Sequence, residues 1–325
     1  MKKFIRIVLF VFAGIAILIT GFLTYLKVAF PNVGPAPEIT IIADPAMIER
    51  GEYLATSVTV CMDCHSTRDW SQFAGPARMD SWGKGGEIFN QDFGFPGAYY
   101  SKNITPAGIG SWTDGEVYRA ITSGVSKDGS PLFPVMPHPN YGKMATKDIY
   151  SIIAYLRTLK PIANEVPASS SDFPMNFIIG TIPSAPSPQE IPSKTDKVEY
   201  GKYLLNAAAC GECHTKQDKG KPLPGMTYAG GFEFPMPNGV VRSSNITSDK
   251  GTGIGDWSEE AFINRFKMYA DSSYTPAKVG PKEFNTVMPW LMYSKMTRED
   301  LAAIYTYLQT TMPVANTVTR FTPAK

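Results

Sequence analysis

Cys61-Met62-Asp63-Cys64-His65 returns later in the chain as Cys210-Gly211-Glu212-Cys213-His214, and these two segments hold all four cysteines. C-x-x-C-H is the pattern that attaches a c-type haem. Two cysteines three apart share one face of a helical turn, so both can form thioethers to the vinyl groups of one porphyrin. The histidine beside them reaches the iron from the same side. Zinc would need four ligands, and the only histidine outside the two segments is His138. A disulfide or dithiol pair explains neither the trailing histidine nor its repetition. The sequence therefore predicts two covalently attached c-type haems, on Cys61, Cys64 and His65 and on Cys210, Cys213 and His214.

The repetition extends well beyond the pentapeptides. Glu49-Arg50-Gly51-Glu52-Tyr53-Leu54 leads into the first, and Glu199-Tyr200-Gly201-Lys202-Tyr203-Leu204 into the second. Asn103-Ile104-Thr105 with Trp112 is echoed by Asn245-Ile246-Thr247 with Trp257, and Tyr155-Leu156 by Tyr307-Leu308. Preserved order over such a span marks an internal duplication, each copy one haem domain. The division expected is a transmembrane anchor at 1–30, a linker at 31–43 and a first haem domain at 44–166. A Pro/Ser-rich connector at 167–193 then leads to a second haem domain at 194–325.

Within each copy the helix signals are readable. Asp44-Pro45 reads as an N-cap followed by proline at the first helical position. Thr146-Lys147-Asp148 and Thr297-Arg298-Glu299-Asp300 open apolar segments of helical period, the latter as a capping-box variant. Gly51 and Gly201 fall mid-helix, where glycine costs about 1 kcal/mol relative to alanine. A close helix crossing accounts for them, with Gly51 expected to admit Tyr155 and Gly201 to admit Tyr307. The loops Ser66–Ser101 and Thr215–Ser243 are expected to wrap the haems without building sheets. Phe173, Met175, Phe177, Ile178 and Ile179 are too apolar for a free linker and are expected to lie on a haem domain.

The first thirty residues read as a retained anchor. Ile7 to Leu26 carries no charge, and twenty residues at about 1.5 Å each span the roughly 30 Å of a bilayer's hydrocarbon. Lys2, Lys3 and Arg6 hold that end in the cytoplasm. Tyr25-Leu26-Lys27-Val28-Ala29 offers a poor signal-peptidase site. The expected location is a bacterial inner membrane, crossed once, with the haem domains in the periplasm. The balance of +2 over 325 residues gives no polybasic surface, so nucleic-acid binding is not expected.

Bis-histidine ligation at both irons is impossible with one spare histidine. Among fourteen methionines the duplication selects two. Met136 lies 75 residues after Cys61 and Met288 lies 78 after Cys210, each in Val-Met-Pro. Met144, Met292 and Met296 are the fallbacks. His138 corresponds to Trp290 in the second copy and is expected at the rim of the first haem. Trp112 and Trp257 read equally as haem-edge contacts or as core. Met/His coordination raises a haem's potential and leaves no open position, which suits electron shuttling.

The run Asn-Ile-Thr, Gly-Ile-Gly, Trp112, Gly124, Asp128-Gly129, Met136-Pro137 and Tyr155-Leu156, with its second-copy echoes, resembles the cytochrome subunits of membrane-bound alcohol and gluconate dehydrogenases. The resemblance covers about residues 45–165 and 195–315. It implies a mainly α fold of two tandem cytochrome c domains after the N-terminal transmembrane helix. It also implies proximal His65 and His214 and distal Met136 and Met288 as iron ligands. Those subunits usually carry three haem domains, against two here. The expected role is electron transfer, not catalysis. Electrons would pass between a dehydrogenase or quinol-oxidising complex and a terminal oxidase or soluble carrier. A dihaem peroxidase-like oxidoreductase or a structural haem subunit of a respiratory complex is the alternative.

Overall fold

The computed structural model describes residues 1–324. Helix α1 (Lys2–Ala29) stands almost free of the rest: of its 28 residues only Leu26 is buried. Among the described residues it is the one helix long and apolar enough to cross a membrane.

After an extended stretch, Asp44 caps α2 (Pro45–Tyr53) by accepting from Met47 N at 2.8 Å, with proline at the first position as expected. The helix widens into a π turn over Leu54–Val58 and is followed by α3 (Cys61–Cys64). The chain then forms strands β1 (Ile88–Phe89) and β2 (Gly97–Tyr100) and helices α4 (Pro106–Ile109), α5 (Asp114–Ser123), α6 (His138–Tyr141) and α7 (Thr146–Thr158). The connector contributes β3 (Ser170–Ser171) and α8 (Met175–Ile178). The second half has α9 (Lys197–Ala207) and α10 (Cys210–His214), then β4 (Gln217–Asp218), β5 (Lys221–Pro222), β6 (Glu233–Met236) and β7 (Gly239–Arg242). It ends with α11 (Glu259–Lys267), α12 (Trp290–Tyr293), α13 (Arg298–Gln309) and β8 (Phe321–Pro323).

Both long loops form small antiparallel sheets, β1-β2-β3, β4-β5 and β6-β7-β8, so the expectation that they build none is corrected. Pairs of aromatic or β-branched residues mark β1 (Ile88-Phe89), β2 (Tyr99-Tyr100) and β7 (Val240-Val241), runs too short to carry a period-2 pattern.

Helix α2 crosses α7 and α9 crosses α13. A Cβ on Gly51 would sit 1.8 Å from the Ser151 carbonyl oxygen, and one on Gly201 1.9 Å from that of Ala303. The close crossings are as predicted but the admitted groups differ. Gly51 makes room for the Ser151 backbone, with Tyr155 Cβ next, and Gly201 for the Ala303 backbone instead of Tyr307. Thr297 caps α13 through Asp300 N, whereas α7 begins after Ala145 with no side-chain cap.

The two crossings are locked together reciprocally. Tyr53 Oη donates to Asp300 at 2.5 Å and accepts from Thr297 N at 3.1 Å. Tyr203 Oη donates to Asp148 at 2.7 Å and accepts from Ala145 N at 3.2 Å. Each aspartate is also held within its own half, Asp148 by Arg50 at 2.9 Å and Asp300 by Tyr200 at 3.1 Å. Burial and the facing carboxylates push the Tyr53, Tyr200 and Tyr203 hydroxyls upward, so they stay protonated donors. Apolar side chains from both halves, among them Leu54, Ile149, Ile153, Leu204, Leu301 and Ile304, join one continuous core.

Candidate haem sites

The two pentapeptides begin at equivalent backbone irregularities. Val60 has φ +46° and Ala209 φ +51°, a left-handed conformation that costs an L-residue roughly 1–2 kcal/mol and is least tolerable for a β-branched one. Each reversal ends one helix and starts the short turn that carries the cysteines. Tyr141 Oη donates to the Thr59 carbonyl at 2.9 Å, and Tyr293 Oη to that of Ala208 at 2.7 Å. A tyrosine just beyond each Val-Met-Pro thus ties that segment to the backbone immediately before the cysteines.

Each motif histidine is oriented by a single bond. His65 Nδ1 lies 2.7 Å from the Lys102 carbonyl and His214 Nδ1 2.7 Å from that of Ser244. With the Nδ1 proton directed there, Nε2 carries the free lone pair. Burial lowers both imidazoles' affinity for protons and favours their neutral form.

The carbonyls are themselves fixed by Asn-Ile-Thr. Asn103 Oδ1 accepts from Thr105 N and Oγ1 while its Nδ2 reaches the Ile162 carbonyl at 2.8 Å. Asn245 does the same with Thr247 and the Val314 carbonyl, at 2.7 Å. Gly85 and Gly230 close over these segments. A Cβ on either would stand 2.5 Å from the carbonyl carbon of Lys102 or Ser244. The sequence marked Asn-Ile-Thr as repeated; its task of presenting the preceding carbonyl to a histidine went unread.

A cavity of about 350 Å³ is lined by Cys61, Cys64, His65, Trp112 and Met136. A second, of about 520 Å³, is lined by Cys210, Cys213, His214, Trp257 and Met288. Of the fallback methionines, Met296 also lines the second cavity, and Met144 and Met292 line neither. Burial pushes the Cys64 and Cys210 thiols up to about 12, which makes them poor nucleophiles for dithiol exchange. The second cavity also gathers Arg242, Arg265 and Arg320. Arg265 lies 4.2 Å from the ring centre of Trp290.

His138 corrects its expectation. It is fully buried with no partner on either ring nitrogen, packed against Gly124, and does not line the first cavity. Its position after Met136-Pro137 points it into the protein behind the loop; nothing in the local sequence distinguishes that from the rim.

One link joins the two sites. Asp63, between Cys61 and Cys64, pairs with Arg68 at 3.0 Å, both side chains buried. Arg68 donates to the Ala74 and Gly75 carbonyls, and Ala74 N donates to Asn285 Oδ1 at 2.8 Å. Asn285 Nδ2 reaches the Trp70 and Gln72 carbonyls, and its Oδ1 also accepts from Thr286 N. Thr286 Oγ1 in turn accepts from Met288 N at 3.0 Å. The intervening Phe73 lines the second cavity. Part of the loop after the first motif therefore reaches the other site instead of wrapping its own. The second motif has Glu212 and Gln217 at the positions of Asp63 and Arg68, so the link runs one way.

This fold and donor set define a c-type cytochrome. The cytochrome c family model matches residues 198–312. The chain is 30% identical to a dihaem c-type cytochrome of Cereibacter sphaeroides over 261 residues, 77% of this chain and 81% of that protein. It is 31% identical over 243 residues to the cytochrome c subunit of a quinone-dependent alcohol dehydrogenase from Gluconobacter oxydans, 69% of this chain and 47% of that subunit. Against the gluconate 2-dehydrogenase cytochrome c subunit of Pantoea cypripedii it is 29% identical over 290 residues, 82% and 60% of the two chains. The chain belongs to the cytochrome c family, whose domain carries covalent haem c, and it spans roughly half to three-fifths of these dehydrogenase subunits.

Proposed function

We propose that this chain is a membrane-tethered dihaem cytochrome c, with residues 44–166 and 194–325 each forming one haem domain on the periplasmic side. It carries single electrons from a dehydrogenase or quinol-oxidising complex to a terminal oxidase or soluble carrier. The observation that carries the reading is the duplicated pocket, each copy collecting two cysteines, the methionine of its Val-Met-Pro and a histidine whose Nδ1 is already engaged.

Cys61 and Cys64, and Cys210 and Cys213, would hold the porphyrins by thioethers. His65 and His214 would bind iron through Nε2, and Met136 and Met288 through sulfur. A bound haem supplies a one-electron iron couple, and a full ligand set at both irons favours electron transfer over turnover of a small molecule. The Nδ1-to-carbonyl bonds stop the imidazoles turning, so no ligand need move when charge changes. Arg242, Arg265 and Arg320, which line the second cavity, would supply positive charge to the carboxylates of a bound haem.

Redox titration of the full-length chain in its native membranes tests this. Two one-electron couples, both reduced on adding the substrate of a quinone-linked dehydrogenase, are expected. Cyanide binding by the resting protein, or haems that stay oxidised under those conditions, would contradict the reading.

A further inference from the structure

The membrane end of α1 and the connector form one surface. Lys27 Nζ lies 5.0 Å from the Phe177 ring centre, and Gly180 packs against Phe30, a Cβ there falling 3.2 Å from that of Phe30. Phe173 stands edge-on to Phe177 at 6.2 Å, and is 78% exposed; Ile178 is 40% exposed. The same connector is bound to the first half. β3 pairs with β2 in the register Gly97–Ser171 and Ala98–Ser170, and Asp172 N donates to the Pro96 carbonyl at 2.9 Å. Ala168, Ser169, Ser171 and Ile179 line the first cavity.

Depth follows from length. The 28 residues of α1 extend about 42 Å at 1.5 Å each, against about 30 Å of hydrocarbon. The last turn, with Tyr25 and Lys27, therefore emerges among the lipid headgroups, where aromatic rings and snorkelling lysines are favoured. Side chains touching Lys27 and Phe30 lie at that depth too. Exposed Phe173 and Ile178 then face the boundary of headgroups and acyl chains, an environment that apolar groups prefer to water.

We propose that Phe173–Ile178 is a second membrane contact, a lipid-facing foot that seats the first haem cavity on the bilayer surface. The first site is then the entry port for electrons from a membrane-embedded donor, and the second the exit. This rests on the anchor and haem readings above.

The test places the photocrosslinker p-benzoylphenylalanine in the full-length holoprotein, in native membranes, at one of three positions. Position 173 probes the foot, position 12 the span, and position 268, exposed in the second half, the aqueous control. Illumination should give lipid adducts at 173 and 12, several-fold above 268, by intact mass. A protein adduct at 173 would assign the surface to a partner subunit and overturn the proposal. No adduct at 173 with one at 12 would overturn the foot while sparing the anchor; none at either would remove both. The port has its own readout. Phe173→Ser with Ile178→Ser should slow reduction by the membrane donor several-fold while both midpoint potentials stay in place. An unchanged rate would overturn the assignment of the port.

Discussion

Met288→Ala should leave the second haem five-coordinate and high-spin in a protein whose first haem is untouched. The near-infrared band of methionine-bound ferric haem should fall to about half, because one of two contributions is lost. The potential of that haem should drop by on the order of 0.2 V, a modest part of the roughly 0.8 V that axial ligation commands. Met136→Ala should give the mirror result. An unchanged spectrum in either variant would reassign that ligand, with Met296 next in line at the second site because it shares the cavity. Asn285→Ala, which removes the clasp between the Trp70–Ala74 loop and the segment bearing Met288, should weaken the same band without abolishing it.

Gly201→Ala should be the most destabilising single-methyl change in the second half. Alanine in a helix is favoured over glycine by about 1 kcal/mol, but here its Cβ would stand 1.9 Å from the Ala303 carbonyl oxygen. Two helix backbones would have to part, at a cost of roughly 3 kcal/mol or more. The net loss, about 2 kcal/mol, lowers the unfolding midpoint of the holoprotein by about 5 °C, read by thermal melting in the far ultraviolet. A midpoint equal to or above the parent's would mean that the crossing is looser than described. Gly51→Ala should behave alike, since the Ser151 carbonyl stands as close.

What the sequence disclosed was whatever the duplication repeated. Asp44-Pro45, the two mid-helix glycines and the paired Val-Met-Pro segments each carry a local signal twice or in a strong form, and these led to the helices and cavity-lining residues. The partner groups at the crossings were missed because a side-chain argument was applied where two backbones touch. The carbonyls of Lys102 and Ser244 were invisible because a backbone acceptor leaves no residue type behind. The reciprocal Tyr53–Asp300 and Tyr203–Asp148 bonds join residues 247 and 55 positions apart, and the Ala74–Asn285 bond residues 211 apart. Such pairings are fixed by tertiary packing and have no periodicity to read. Buried His138 belongs to the same class: its surroundings, not its neighbours in sequence, decide its place.

Everything proposed for this chain requires covalently bound haem in both pockets. Denaturing mass spectrometry of the purified full-length chain tests it directly. A single species heavier than the polypeptide by two haems is expected, falling to one when Cys210 and Cys213 are both replaced by alanine. A native chain that carries one haem or none would contradict it.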